Sequence, residues 1–420
     1  MSEIKPFSAL VYNTDKVKDL AKVMCPPYDV ISKDKQNDLH SRSPNNFIWL
    51  DLGKDRPGDN NENNKYTRAK KLFDEWLAQG ILIQDDKPCL YFYRQEYRVM
   101  GERHSRMGFI SLMRIPEEKD AKIFPHENTH AAAKEDRLKL SLALSAQLSS
   151  IFVCFSDKKQ TVEKLFSKHI ILQKPCVDIE DDDGVKHILW RLDSADLIQQ
   201  VVDTLDGQPL FIADGHHRYE VAQELRRIRM ARSGKNKEAP YNYVMTYFTN
   251  MDSRDLKIFP MHRIVRKLPK ALDFLEEHFR VDKIKSKDDL VVILAKAGQN
   301  EHAFGLCKKD EILLLRLKNK LLIDQIVSAG SYAYKRLDAS ILKYFIFDRL
   351  GLLSEDIIYT KDHYEVMDMV ADGRADSGFV MNPVRIDQLR EIALNGERMP
   401  PKTTYFYPKV LSGLTVYKMA

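Results

Sequence analysis

The stretch Phe211-Ile212-Ala213-Asp214-Gly215-His216-His217-Arg218-Tyr219 admits few conformations. An apolar run ends in Asp-Gly and helix-compatible residues follow at once. The pattern predicts a strand over 208–213 and a helix starting near His217. Glycine tolerates the backbone that so sharp a turn needs. Free N–H groups at the start of such a helix point outward and suit an anion. Arg218 adds a forked donor in the first turn. Cations at a helix N-terminus oppose the macrodipole, so structure alone would not choose them there. A bound phosphate would remove the conflict; the plainer alternative is a core turn with two satisfied histidines.

Two further clusters carry chemistry. Phe124-Pro125-His126-Glu127-Asn128-Thr129-His130 reads as a loop, in which Glu127 can act as a general base and a histidine can assist. Asn128 or Thr129 can equally cap the following helix. Near the C-terminus, Pro401-Lys402-Thr403-Thr404 sets two hydroxyls beside a lysine, a grip for a carboxylate or phosphate walled by aromatic residues. The same pair of threonines also suits an edge strand.

Much else is excluded or unremarkable. A chain of 420 residues exceeds one compact core, so two or three units are expected. A net charge of +5 is mild, and the cluster Arg226, Arg227, Arg229 and Arg232 reads as a solvated helix face. Neither a nucleic-acid partner nor a membrane is expected, and a cytoplasmic protein is. Five scattered cysteines make no CxxC pair. The run Glu180–Gly184 resembles a metal loop, but consecutive acids cannot all face one ion, so a solvated turn is expected. A zinc or iron centre from His126, His130, His216, His217 and Glu127 lacks helical HExxH spacing. No GxxxxGK[ST] loop and no HRD or DFG set occurs, which excludes the major kinase architectures.

Along the chain, the proline turn Cys25-Pro26-Pro27-Tyr28-Asp29-Val30-Ile31-Ser32 precedes a polar loop and a helix ending at Gly80. Strands are expected over 90–99, 107–115, 151–155, 243–248 and 256–265, and a helix over 135–148. After Pro269 the pattern predicts helices over 272–278, 288–297, 339–350, 364–371 and 386–394. A hairpin over 302–317 and a strand over 377–381 complete it. The class is α/β (α+β).

In order, Pro125-His126-Glu127, Ser149-Ser150-Ile151-Phe152, Asp214 to Arg218 and Pro401 to Thr404 resemble the free serine kinases of the ParB/sulfiredoxin-like fold. The whole chain also resembles the bacterial DUF1015 proteins through PPYDVIS, HENTH, ADGHHRYE and MPPKTTYFYPK. The resemblance implies a ParB/sulfiredoxin-like core over 116–268 with an insertion near 157–201. An N-terminal extension over 1–115 and a C-terminal α/β subdomain over 269–420 would flank it. It implies transfer of a phosphoryl group from ATP, ADP or pyrophosphate to the hydroxyl of free L-serine. Catalysis would fall to Glu127, His126 and Asp214, with Asp214 near Mg2+. Gly215, His216, His217 and Arg218, extended by Ser149 and Ser150, would hold the donor phosphates. Lys402, Thr403 and Thr404 would hold the substrate. Two other classes stay open: a CTP-binding ParB-like regulator, and a phosphotransferase or phosphatase acting on another small alcohol.

Overall fold

The structure, a computed structural model, describes residues 3–117, 122–269 and 271–419. It is a mixed α/β protein of two compact units. The first comprises Met1–Phe124, Thr129–Leu256 and Pro408–Ala420; the second comprises Pro125–Asn128 and Lys257–Tyr407.

A nine-stranded mixed sheet forms the first unit. Its strands are β1 (Ile4–Lys5), β2 (Leu90–Val99), β3 (Glu102–Arg114), β4 (Ile123–Phe124), β5 (Ile151–Phe155), β6 (Val177–Glu180), β7 (Lys186–Leu192), β8 (Leu210–Asp214) and β9 (Tyr243–Asn250). The spatial order is β4-β8-β5-β9-β3-β2-β7-β6, with β1 paired to β3. Only β4/β8 and β5/β9 are parallel. The near-continuous apolar runs of β5 and β8 reflect burial on both faces, as parallel pairing under helices demands. Phe92, Phe109, Phe166, Trp190 and Phe248 fill the core, with the Phe109 and Phe248 rings stacked at 5.1 Å. Residues 157–201 supply α3 (Thr161–His169), the two strands β6 and β7 at the end of the sheet, and the start of α4 (Ala195–Leu205). The helices α1 (Lys65–Ala78), α2 (Ala131–Leu144) and α5 (His216–Ser233) complete the unit's main elements.

The second unit holds a six-stranded, wholly antiparallel sheet. Its strands are β11 (His262–Val265), β12 (Phe279–Ile284), β13 (Ala303–Lys308), β14 (Glu311–Leu317), β15 (Ile357–Thr360) and β16 (Ser377–Val380), in the order β12-β14-β13-β16-β11-β15. A separate pair, β10 (Lys257–Phe259) and β17 (Tyr405–Tyr407), is antiparallel. Apolar clusters cover both faces of the six-stranded sheet, so β11 sends Val265 into one and Ile264 into the other. Helices α6 (Lys287–Ala297), α7 (His363–Ala371) and α8 (Ile386–Leu394) lie in this unit. The expected helix over 339–350 is present as one unbroken helical run, Asp338–Leu342, a π-helical turn over Lys343–Phe347 and Asp348–Leu350.

Gly108 sits mid-strand in β3, opposite Thr249 and Tyr93. A Cβ there would fall inside contact distance of the Phe248 carbonyl and the Tyr247 ring. Gly108→Ala is therefore expected to destabilise the chain by about 2–3 kcal/mol through overpacking, read as a lower denaturation midpoint with unchanged m.

Candidate functional site

Two clusters of candidate groups stand out, one in each unit. In the first, β8 is buried up to Ala213, and its pairing with β5 slips between Ile212 and Asp214. That irregularity delivers Asp214 to the end of the sheet. Gly215 follows at φ 84°, and α5 begins at His216. The left-handed turn folds the Arg218 side chain back over the glycine, 3.1 Å from where a Cβ would sit. Only glycine meets both demands.

Arg218 Nη2 donates to Asp214 Oδ2 at 2.9 Å, and its Nη1 donates to the Ser150 carbonyl. Lys409 Nζ, from the C-terminal segment, donates to Asp214 Oδ1 at 2.9 Å. Burial alone would raise the Asp214 carboxyl, yet Lys409, Arg218 and His216 together hold it well below the usual carboxylate range. The cations at this helix start are thus answered first by Asp214 itself, which relieves the conflict with the helix dipole without any ligand. His216 is buried. His217 Nε2 accepts the backbone N–H of His130 at 2.8 Å, and the two rings stack at 6.0 Å. A nitrogen that accepts an N–H carries no proton, so the His217 proton sits on Nδ1.

The resemblance placed Asp214 near Mg2+, and the structure shows which side chains surround that carboxylate. Both of its oxygens are committed to cations, and among the described residues no three His, Cys, Asp or Glu side chains gather to hold a metal. The described residues alone therefore make no closed protein cage of the kind a zinc or iron centre uses.

Sequence reasoning missed several neighbours of this turn. Arg137, from α2, is buried and bonds Asp51 Oδ1 at 3.0 Å and Asp136 Oδ2 at 2.5 Å, while the Tyr28 ring of the PPYD turn lies 4.2 Å away. Burial pushes the Tyr28 hydroxyl up, although Arg218 and Arg137 act against it. Ser149 Oγ bonds Ser412 Oγ at 2.9 Å and Asp51 Oδ2 at 3.4 Å. Tyr28, Asp51, Arg137, Ser149 and Arg218 line a cavity of about 50 Å³, room for a water or two but not for a nucleotide. The signal for Lys409 lay only in its nearness to Pro401–Thr404; for Arg137 there was none.

The second unit brings two distant motifs together. Lys402 N–H donates to Glu127 Oε1 at 3.1 Å, and Met399 N–H donates to the His126 carbonyl at 2.7 Å. His126 is fully buried, with Nε2 3.2 Å from Thr404 Oγ1. Thr403 is buried and bonds the Pro400 carbonyl. Lys402 has φ 55°, a left-handed conformation rare for a residue with a side chain. The helix after this loop is capped at His130, not at Asn128 or Thr129. Thr129 instead bonds Glu220 of α5 at 2.7 Å.

The other expected clusters are better partnered than the sequence suggested. Asp182 pairs with Arg42 at 2.7 Å and with Lys35, and Asp181 accepts from Val185 N–H at 2.9 Å and meets His187 Nε2 at 2.9 Å. Arg226 bonds Asn242 at 3.0 Å rather than facing solvent.

A pH test follows from the Asp214 cluster. A carboxyl depressed in the folded state contributes stability that is complete above its unfolded pKa, about 3.9, and is lost as pH falls below it. Asp214→Asn should cost about 3 kcal/mol at pH 7, because two buried cations lose their counter-charge. The gap between variant and wild type should close from about pH 4 downward, as read by chemical denaturation across pH.

The family model described as a protein of unknown function, DUF1015, matches residues 4–340. No curated protein shows significant sequence similarity to the chain. Among solved structures, the chain is similar to a free serine kinase in complex with AMP, at 14% identity and TM-score 0.35, over 68% of this chain and 83% of that one. It is similar to a conserved hypothetical protein from Pyrococcus furiosus at 14% identity and TM-score 0.36, over 71% and 92%. It is also similar to a C-terminally truncated SbnI from Staphylococcus aureus at 12% identity and TM-score 0.38, over 73% and 87%. No helix among the described residues is long and apolar enough to cross a membrane. With a match running over residues 4–340 of 420, the chain belongs to the DUF1015 family.

Proposed function

We propose that this protein is a small-molecule kinase that moves a phosphoryl group from ATP, ADP or pyrophosphate to the hydroxyl of free L-serine. The observation that carries the reading is the contact between Glu127 and Lys402. It joins a carboxylate to the Lys-Thr-Thr turn across 275 residues of sequence, in one unit and with strained backbone at Lys402. Backbone strain held in place by surrounding contacts recurs at ligand-binding turns.

Glu127 takes the proton of the serine hydroxyl as the oxygen attacks phosphorus. A carboxylate accepts more than one hydrogen bond, so the Lys402 N–H orients it without consuming it. His126 holds Thr404 and thereby the turn, and Lys402, Thr403 and Thr404 take the acceptor and its new phosphate. The donor phosphates fall to Gly215, His216, His217 and Arg218, with Ser149 and Ser150 beside them. Asp214 and Lys409 fix the Arg218 fork. Preorganised donors of this kind stabilise the charge that moves during phosphoryl transfer.

Incubation of the purified chain with L-serine and each donor, supplied as its magnesium salt, should yield O-phospho-L-serine. Folded protein that yields none with any donor discards the reading; CTP binding with retention of DNA would replace it with the regulator. Glu127→Gln keeps size and hydrogen bonding but removes the base. Turnover should fall about 100- to 10,000-fold while serine and donor affinities stay within about twofold, measured by calorimetry beside the turnover assay. Normal turnover in that variant would make Glu127 a purely structural ligand of the Lys402 turn.

A further inference from the structure

Arg263 stands on β11, on the face it shares with Val265, which packs into an apolar cluster. It is only 4% exposed. Its hydrogen bonds go to neutral groups: the Met261 carbonyl, Met381 Sδ at 2.8 Å and the Lys402 carbonyl at 3.4 Å. Among the described residues none of its hydrogen bonds reaches a carboxylate, and Asp338 acts on it only through space. Its sequence neighbour His262 is pushed down to about 3, by burial first and then by His363 and Arg263, so Arg263 is the charged member of the strand. Burial likewise lowers Arg263, to about 10, with Tyr359 and Asp338 acting in the opposite sense.

A buried guanidinium without a counter-ion is strongly unfavourable, because partial charges on carbonyls replace its hydration only in part. Arg263 lines a pocket of about 730 Å³ together with Thr403, Asn382, Arg336, Asp338 and Glu391. The pocket lies wholly in the second unit, and the volume suits a small metabolite. Lining acids and lining cations occur together, which suits a ligand carrying both signs. Asp338 already engages His302 Nδ1 at 2.8 Å.

We propose that this pocket binds the α-carboxylate of a free amino acid through the Arg263 fork, with the acidic lining taking the ammonium group. The proposal rests on the kinase reading above and names the group that anchors its acceptor. Arg263 is bonded to the Lys402 carbonyl, so an anchored carboxylate and the Lys402–Thr404 turn share one support.

The test is titration calorimetry on the full chain with L-serine, ethanolamine and inorganic phosphate. L-serine should bind, and ethanolamine, which lacks the carboxylate, should bind about tenfold more weakly or worse. Arg263→Met should lower L-serine affinity about tenfold or more and leave ADP affinity unchanged. Its Tm without ligand should equal or exceed that of the wild type, because an apolar side chain of similar size removes an uncompensated buried charge. An arginine that merely props the carbonyls gives the opposite pattern, a lower Tm with unchanged L-serine affinity, and that result overturns the proposal. Inorganic phosphate binding that is tighter than that of L-serine and is lost in Arg263→Met overturns it too. Should Arg263→Met fail to fold, Arg263→Lys keeps the charge and loses the fork, so L-serine affinity should fall about threefold or more; unchanged affinity overturns the proposal. L-serine held through Arg263 without formation of O-phosphoserine removes the kinase reading alone. Phosphorylation with an unaltered KM for serine in both variants removes this pocket alone.

Discussion

The first unit is organised around one carboxylate. Asp214 terminates β8, the strand next to the edge strand β4, accepts Arg218 from the first turn of α5, and accepts Lys409 from the C-terminal segment. The strand–turn–helix and the C-terminal segment, distant in sequence, are thereby fixed at one point. Desolvating an aspartate costs several kcal/mol unless cations surround it, and desolvating those cations costs as much unless the aspartate is there. The cluster therefore forms as a set. Gly215 is part of the same constraint, since the fork can reach back to Asp214 only over a residue with no side chain. The guanidinium and ammonium groups at this helix start are aimed at Asp214 and fixed by it.

The second unit shows a different device. The short segment Pro125–Asn128 belongs with it although its sequence neighbours belong to the first unit. His126 and Glu127 lie alongside Met399 and Lys402 through a backbone pairing and a side-chain bond. A carboxylate that accepts a backbone N–H is held in one orientation yet keeps its charge, the condition a general base must meet. The histidine beside it is buried against Thr404 and Phe406, so it shapes the turn more than it exchanges protons with solvent.

Much of this was legible in the sequence, and the reasons are local. The strands Leu90–Val99 and Ile151–Phe155 and the helix Ile386–Leu394 match their expected spans, because period-two and period-3.6 patterns are clear there. The Asp-Gly turn was legible because few residue pairs perform that turn. The expected helix over 272–278 shrinks to Leu275–His278, where Pro269 and a short apolar run leave too little to propagate. The expected strand over 256–265 divides at Pro260, which cannot donate to a ladder, and its halves pair in different sheets. Side-chain partners were less legible than elements. Nothing near Asp214 in sequence announces Lys409, 195 residues away, and the resemblance to the serine kinases spoke only of an ion beside the aspartate. Asp182 does lie in an exposed turn, as read, but Arg226 was read as solvated for the same reason: pattern gives the face of an element, not what packs on it.

Three buried arginines show how much that distinction matters. Arg137 is balanced by Asp51 and Asp136, a conventional ion-pair solution. Arg106 is fully buried too, but Gln95 and the Pro408 carbonyl bond it, and the rings of Phe152 and Tyr247 lie 4.8 and 5.6 Å from its guanidinium. Aromatic faces partly replace lost hydration around such a cation. Arg263 shares the carbonyl bonds and one ring, yet it borders open volume instead of being enclosed. A chain that needed only packing at this position would place a methionine or leucine there at no electrostatic cost, since apolar replacements of buried charges are commonly neutral or stabilising. The guanidinium is therefore best understood as one half of an interaction whose other half enters the pocket.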